Sequence, residues 1–175
     1  GVPYHINHVK YDVQDPEIKS VLKNYFSQTT QKHAKSHVLT KGTPFTVDKL
    51  DEERKLITEI LLDSGYYKFH KDFIRFDADT AVNNTGIDLT IHLMKFRLNS
   101  DSPEVSHPRY VIGNVNYSTD NGKLHLSKNV LDNATLLQKG KLYSYSDLEE
   151  TYRNFGRLSA VRYTSIQFHE EPNTN

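Results

Sequence analysis

The chain contains no cysteine. That excludes a disulfide scaffold, a thiol nucleophile and zinc held by thiolates. It leaves the compartment open, because a cysteine-free chain is stable at any redox poise. An excess of charge of one sign is also missing: 22 Lys and Arg balance 22 Asp and Glu. With no basic block and no acidic tail, duplex nucleic acid is not an expected partner. No apolar run approaches the roughly 20 residues that a spanning helix needs. No secretory leader heads the sequence, which starts Gly1-Val2-Pro3-Tyr4. Gly1 reads as a cloning remnant, and the expectation is of a piece excised from a longer chain.

What is present is polar but not disordered. Of 175 residues 36% are hydrophobic and 25% charged, with Val, Ile, Leu, Phe and Tyr spread throughout. A polar average points to two small units rather than one large one, because small units have more surface for their volume.

A repeat divides the chain accordingly. Tyr4-x-Ile6-x-x-Val9-x-Tyr11 returns as Tyr110-x-Ile112-x-x-Val115-x-Tyr117. Lys41-Gly42-x-x-Phe45-Thr46-x-x-x-Leu50 returns as Lys139-Gly140-x-x-Tyr143-Ser144-x-x-x-Leu148, and Ile74-x-Phe76 as Ile166-x-Phe168. Three blocks recur in the same order and only the connections change length.

One unit reads as follows. Residues 4–13 are rich in Tyr, Ile and Val and form a strand that stops before Asp15-Pro16. From Glu17, the apolar spacing of Ile18, Val21, Leu22, Tyr25 and Phe26 predicts a helix to about residue 32. Gly42 and Pro44 make a turn. Thr46 caps a second helix carrying Val47, Leu50, Ile57, Ile60 and Leu61 on one stripe and ending near Gly65. Phe73–Asp79 is a second strand, Asn83-Asn84-Thr85-Gly86 a turn, and Ile87, Leu89, Ile91 and Leu93 alternate with polar residues in a third strand.

The order β-α-α-β-β allows helices on one face of a three-stranded mixed sheet only, so the class is α+β. The first domain is expected over residues 1–96, a polar linker over 97–107 and the second domain over 108–175. In the second, helices are predicted near Ser127–Leu136 and Ser146–Leu158, with Ser144 as cap, and a strand at Tyr163–His169. Its third strand would fall past Asn175, so the second sheet is expected to be incomplete within the chain. Residues beyond Asn175, or strands of a neighbouring chain, are expected to fill it.

Tandem β-α-α-β-β units with Gly42-x-Pro44-Phe45-Thr46 ahead of the second helix resemble POTRA domains. Leu50-Asp51-Glu52-Glu53-Arg54-Lys55-Leu56-Ile57, then Leu61-Leu62-Asp63-Ser64-Gly65-Tyr66-Tyr67-Lys68-Phe69, is similar to POTRA segments of BamA/TamA-like outer-membrane proteins, particularly the surface-antigen type. Lys139-Gly140-Lys141-Leu142-Tyr143-Ser144 with Leu148-Glu149-Glu150-Thr151-Tyr152 is similar to a following POTRA domain, but no Gly-Tyr pair follows its helix and Gly156 falls inside it. The resemblance covers nearly all of residues 3–171.

It implies a periplasmic location within an outer-membrane protein of a Gram-negative bacterium, with a signal peptide, further POTRA domains and a C-terminal membrane barrel in the full chain. It also implies a scaffold that handles unfolded or partly folded outer-membrane clients and assembly-complex subunits. No enzyme activity and no cofactor are implied. Clients would pair with a sheet edge, and in this family that edge is the second strand. Its residues here are Asp72, Phe73, Ile74, Arg75, Phe76 and Asp77, with Ile74 and Phe76 facing the helices and Phe73, Arg75 and Asp77 facing out. The opposing reading is that Arg75 and Asp77 are charges that block edge pairing.

Other constellations read as structural. His33 and His37 are spaced i, i+4, and His5 and His8 lie close together, but no His-Glu-x-x-His and no supporting carboxylate accompany them. Asp51-Glu52-Glu53 and Glu149-Glu150 lie on helices with an apolar opposite face and read as solvated. Glu53 and Arg54 are expected in weak ion pairs. Gly65 reads as a left-handed helix end, and Tyr66 and Tyr67 as rings laid on the next strand with hydroxyls in water. Asn83-Asn84-Thr85, Asn116-Tyr117-Ser118 and Asn133-Ala134-Thr135 fit the glycosylation sequon, a tripeptide common by chance. Two competitors remain: a periplasmic glycan- or peptide-binding module with an aromatic-rich pocket, and a metal-dependent hydrolase using His33 and His37.

Overall fold

The computed structural model describes residues 3–28, 34–80, 85–120, 122–123 and 125–172. Strand β1 (His5–Val13) leads into helix α1 (Pro16–Ser27). Asp15 caps α1 by accepting from the N–H groups of Glu17 and Ile18, and Pro16 sits at the first helical position, where no N–H is needed. The helix stops at Ser27, short of the expected residue 32, and residues 29–33 lie outside the described residues. Helix α2 (Val47–Leu62) starts at the cap Thr46. A one-turn 3-10 helix at Lys71–Phe73 precedes β2 (Ile74–Thr80), and β3 is Gly86–Leu93.

The sheet order is β1-β3-β2. β3 runs parallel to β1 and antiparallel to β2. The alternation of β3 decides its faces: Ile87, Leu89, Ile91 and Leu93 are buried, while Asp88, Thr90 and His92 lie on the opposite face. Ile18, Leu22, Leu56, Ile57, Ile60 and Leu61 of the two helices close over that apolar face, so the core lies between the sheet and the helices.

The duplication is visible in the backbone hydrogen bonds. Ile6 N–H donates to Thr43 O and Gly42 N–H to Ile6 O, both at 2.8 Å. Ile112 N–H donates to Lys141 O and Gly140 N–H to Ile112 O, again both at 2.8 Å. Phe45 N–H reaches Tyr4 O at 2.9 Å, and Tyr143 N–H reaches Tyr110 O at 3.0 Å. Gly42 and Gly140 share a φ of 90°, which an L side chain resists and which both turns need. Ser144 caps α4 (Tyr145–Gly156) as Thr46 caps α2. Ser127 caps the short α3 (Lys128–Ala134). Gly156 is the last residue of α4.

The second half carries no sheet among its described residues. Val111 bridges Leu142, and the stretch expected as a strand at Tyr163–His169 makes no ladder. The topology of the first half gives the reason. β1 and β2 are joined only through β3, and no counterpart of β3 stands among the described residues of the second half.

Residues 97–107 are docked rather than loose. Phe96 and Val105 exchange both backbone hydrogen bonds at 2.9 Å. His107 is buried, with its ring among Phe69, Phe73 and Phe96 and its Nε2 donating to Met94 O at 2.7 Å. Its N–H donates to Asp15 Oδ2 at 2.8 Å, so the carboxylate that caps α1 also anchors the start of the second half.

Candidate functional site: an open sheet edge

β2 is an edge strand, because it pairs with β3 and nothing else in the sheet. The other outer edge is covered at its start: His5 bridges Pro44, and Ile6 bonds to Thr43 and Gly42. The register then decides which β2 groups are free. Met94 N–H donates to Phe73 O at 2.8 Å. In an antiparallel ladder alternate residues turn both backbone groups toward the same neighbour. Phe73, Arg75, Asp77 and Asp79 therefore face β3, opposite Met94, His92, Thr90 and Asp88. Ile74, Phe76, Ala78 and Thr80 turn theirs outward.

Ile74 is partly spent, since its N–H donates to Lys71 O and its carbonyl accepts from Arg54 Nη2 at 3.5 Å. The usable edge is Phe76, Ala78 and Thr80. Of the expected site Asp72–Asp77, only Phe76 offers a free N–H and C=O pair. Asp72 and Phe73 belong to the 3-10 turn.

Side chains around this edge split by face. Ile74 is buried, and Phe76 is half-buried beneath the Arg54 guanidinium, 4.8 Å from the ring centre. Arg75 and Asp77 are exposed, as expected. Phe73 does not face out: it packs against Phe69, Phe96 and His107, because the 3-10 turn rotates it away from the strand's alternation. Asp77 does not lie across the edge as a guard. Its Oδ2 is held at 2.7 Å by His92 Nε2, while His92 Nδ1 reaches Asp12 Oδ2 at 2.9 Å. One imidazole thus links all three strands on the outer face. The hydrogen bond to Asp12, then that to Asp77, raises its pKa above the ordinary value.

The remaining expectations fall as follows. His33 lies outside the described residues. His37 donates from Nδ1 to Glu53 Oε1 at 2.6 Å, stacked on Phe26. His5 and His8 are exposed on β1. Among the described residues no group of three His, Asp or Glu stands close enough to hold a metal. Asp51 pairs with Arg54, Glu52 with Lys49, and Glu149 and Glu150 with Arg153, all at the surface.

Glu53 departs from the expected solvated face and is fully buried. It accepts from Tyr11 Oη, His37 Nδ1, Val38 N–H and Leu39 N–H at 2.7, 2.6, 2.6 and 3.2 Å. At the matching position of α4, buried Thr151 Oγ1 accepts from Leu136 N–H at 3.0 Å. The shared job is structural: each residue ties down the strand-like approach to a Gly turn.

Tyr66 and Tyr67 also depart from expectation. Tyr66 is buried, and burial pushes its hydroxyl up to about 12. Tyr67 packs on Tyr110, Tyr143 and Phe168 of the second half rather than on the next strand.

No family model and no curated protein matches the chain. Among solved structures it is similar to the crystal structure of Haemophilus influenzae BamA POTRA3-5, at a TM-score of 0.58 and 12% identity over 100% of this chain. The chain has the POTRA fold. It spans 58% of that BamA structure. It is also similar to POTRA1-2 of the periplasmic domain of Omp85 from Anabaena, at a TM-score of 0.43 and 15% identity, covering 99% of this chain and 91% of that one. Within the POTRA fold, β2 is the open edge of the first unit. No helix among the described residues is long and apolar enough to cross a membrane.

Proposed function

We propose that this chain is a periplasmic scaffold and client-binding segment of an outer-membrane protein assembly or translocation factor, and that it binds extended client or partner chains by strand addition at β2. The outward backbone groups of Phe76, Ala78 and Thr80 carry this reading, together with the POTRA fold shared with a BamA fragment. Pairing through backbone groups gives affinity with little sequence demand, which suits a surface meeting many unfolded clients. The tether from Asp77 to His92 supports it further, because the charge is drawn over the outer face and leaves the edge open. Residues 1–96 and 108–175 act as two POTRA units, within a longer chain bearing further POTRA domains and a membrane barrel. Its work is binding, without catalysis or cofactor.

Ala78→Pro tests the edge. Proline removes an outward N–H, and an edge strand tolerates it where that N–H faces solvent. The variant keeps its far-UV circular dichroism and loses binding of an unfolded outer-membrane barrel protein by tenfold or more. Binding that survives unchanged would remove β2 as the site.

The glycan- or peptide-binding alternative would use the open cleft of about 520 Å³ beside Asn114–Tyr117 and α3. Tyr117 is its single aromatic wall, and that hydroxyl is committed to Asp132 at 2.8 Å. A sugar platform needs more ring surface than this.

A further inference from the structure

The turn that ends α2 makes contacts that helix termination alone does not require. Gly65 has a φ of 95°, as a left-handed helix end should. It also has no clearance. A Cβ there would stand 3.0 Å from Arg109 Cγ, 3.0 Å from Leu142 Cδ2 and 3.3 Å from Tyr110 O, all in the second half. Gly42 and Gly140 have the same sign of φ and nothing within 4 Å.

Gly65 O accepts from Tyr110 N–H at 2.7 Å, and Ser64 O accepts from Arg109 Nε at 2.7 Å. Two residues earlier, Asp63 Oδ1 accepts from Ser146 N–H at 2.8 Å and Oδ2 from Ser146 Oγ at 2.7 Å. A carboxylate of the first half thus binds an otherwise unpaired N–H in the first turn of a helix of the second half, where negative charge suits the dipole. Two residues later, Tyr67 is received among Tyr110, Tyr143 and Phe168, and Lys68 Nζ reaches Glu170 at 3.0 Å.

We propose that the Asp63–Lys68 turn is an orientation lock: it seats against residues 109–110, 142–146 and 168–170 and holds the second half in one fixed pose on the first. The parts act at different depths. Buried Gly65 allows the backbones to meet, Asp63 caps the neighbouring helix, and Tyr67 fills the remaining gap with ring surface. Anything bound along β2 therefore lies at a set angle to the second half. The lock does not depend on whether clients bind there.

The absence of native cysteine makes the test direct. Lys23→Cys on α1 and Asn129→Cys on α3, both exposed, take spin labels for pulsed electron resonance distances. The expected result is one narrow distance distribution in the otherwise native chain. Gly65→Ala broadens it at least twofold, while Gly42→Ala, with the same backbone strain but open space, leaves it narrow. Asp63→Lys is an exposed change that reverses the charge at the α4 N-terminus and leaves the core untouched. It broadens the distribution with circular dichroism unchanged. A broad distribution in the otherwise native chain overturns the proposal, as does a narrow one in both Gly65→Ala and Asp63→Lys.

Discussion

Glu53 is where a single side chain carries the most structure. Burial pushes its carboxyl up, but hydrogen bonds from His37, Tyr11 and the Val38 N–H outweigh that and bring it below the usual carboxylate value. Removing it strands the Val38 and Leu39 N–H groups, while the Tyr11 hydroxyl keeps His37 Nδ1 as a partner at 2.7 Å. At about 1–3 kcal/mol for each of these two groups left unsatisfied, Glu53→Ala should cost about 2 kcal/mol or more. A urea unfolding midpoint measures that loss. His92 acts with the opposite sign. Its folded pKa lies above the unfolded value of 6.5, so its contribution is complete below that value and is lost as pH rises through the folded pKa. The contribution of Glu53 is present above its unfolded value of 4.5 and is lost as pH falls through its lower folded pKa. Stability should therefore decline on both sides of mildly acidic pH. His92→Asn should flatten the alkaline limb in unfolding midpoints taken between about pH 6 and 9.

At the scale of elements, what could be read from the chain depended on whether the cause was local. The caps Thr46 and Ser144, the Gly42 and Gly140 turns and the alternation of β3 are set by neighbouring residues, and all appear where the pattern places them. Burial of Glu53 was not legible from its acidic triplet, because three of its four donors come from the irregular segment 37–39 and the fourth from Tyr11 on β1. The repeat did hold a signal. It aligns Glu53 with Thr151, two side-chain acceptors at one helical position, while the neighbouring position aligns buried Ile57 with buried Phe155. Thr151→Val keeps the shape and removes the acceptor for Leu136 N–H. It should cost about 1–3 kcal/mol and speed amide exchange at Leu136. The site was legible in part. The second strand was placed as an edge and read to Asp79, but the candidate site on it was drawn only to Asp77, so the free groups of Ala78 and Thr80 were missed. A strand's span does not say which of its residues turn their backbone groups outward, since that parity is set by the register with β3.

For the molecule as a whole, the contacts from Asp63 to Lys68 join the halves closely enough that they should unfold together. Urea denaturation followed by far-UV circular dichroism should give one transition in the native chain and two in Gly65→Ala. That coupling was hidden from the sequence, because Gly65-Tyr66-Tyr67 carries the marks of a helix end and its second role depends on how the halves pack. The functional account rests on a feature of the assembled sheet, the outward parity of β2. Residue-resolved amide exchange, with and without an unfolded outer-membrane barrel protein, tests it most directly. The account predicts that Phe76 and Ala78 exchange fast in the free chain and slow sharply on binding, while Arg75 and Asp77, already facing β3, change little. Slowing confined to residues 114–117 and α3, or no change at Phe76 and Ala78 in a chain that binds, would contradict it.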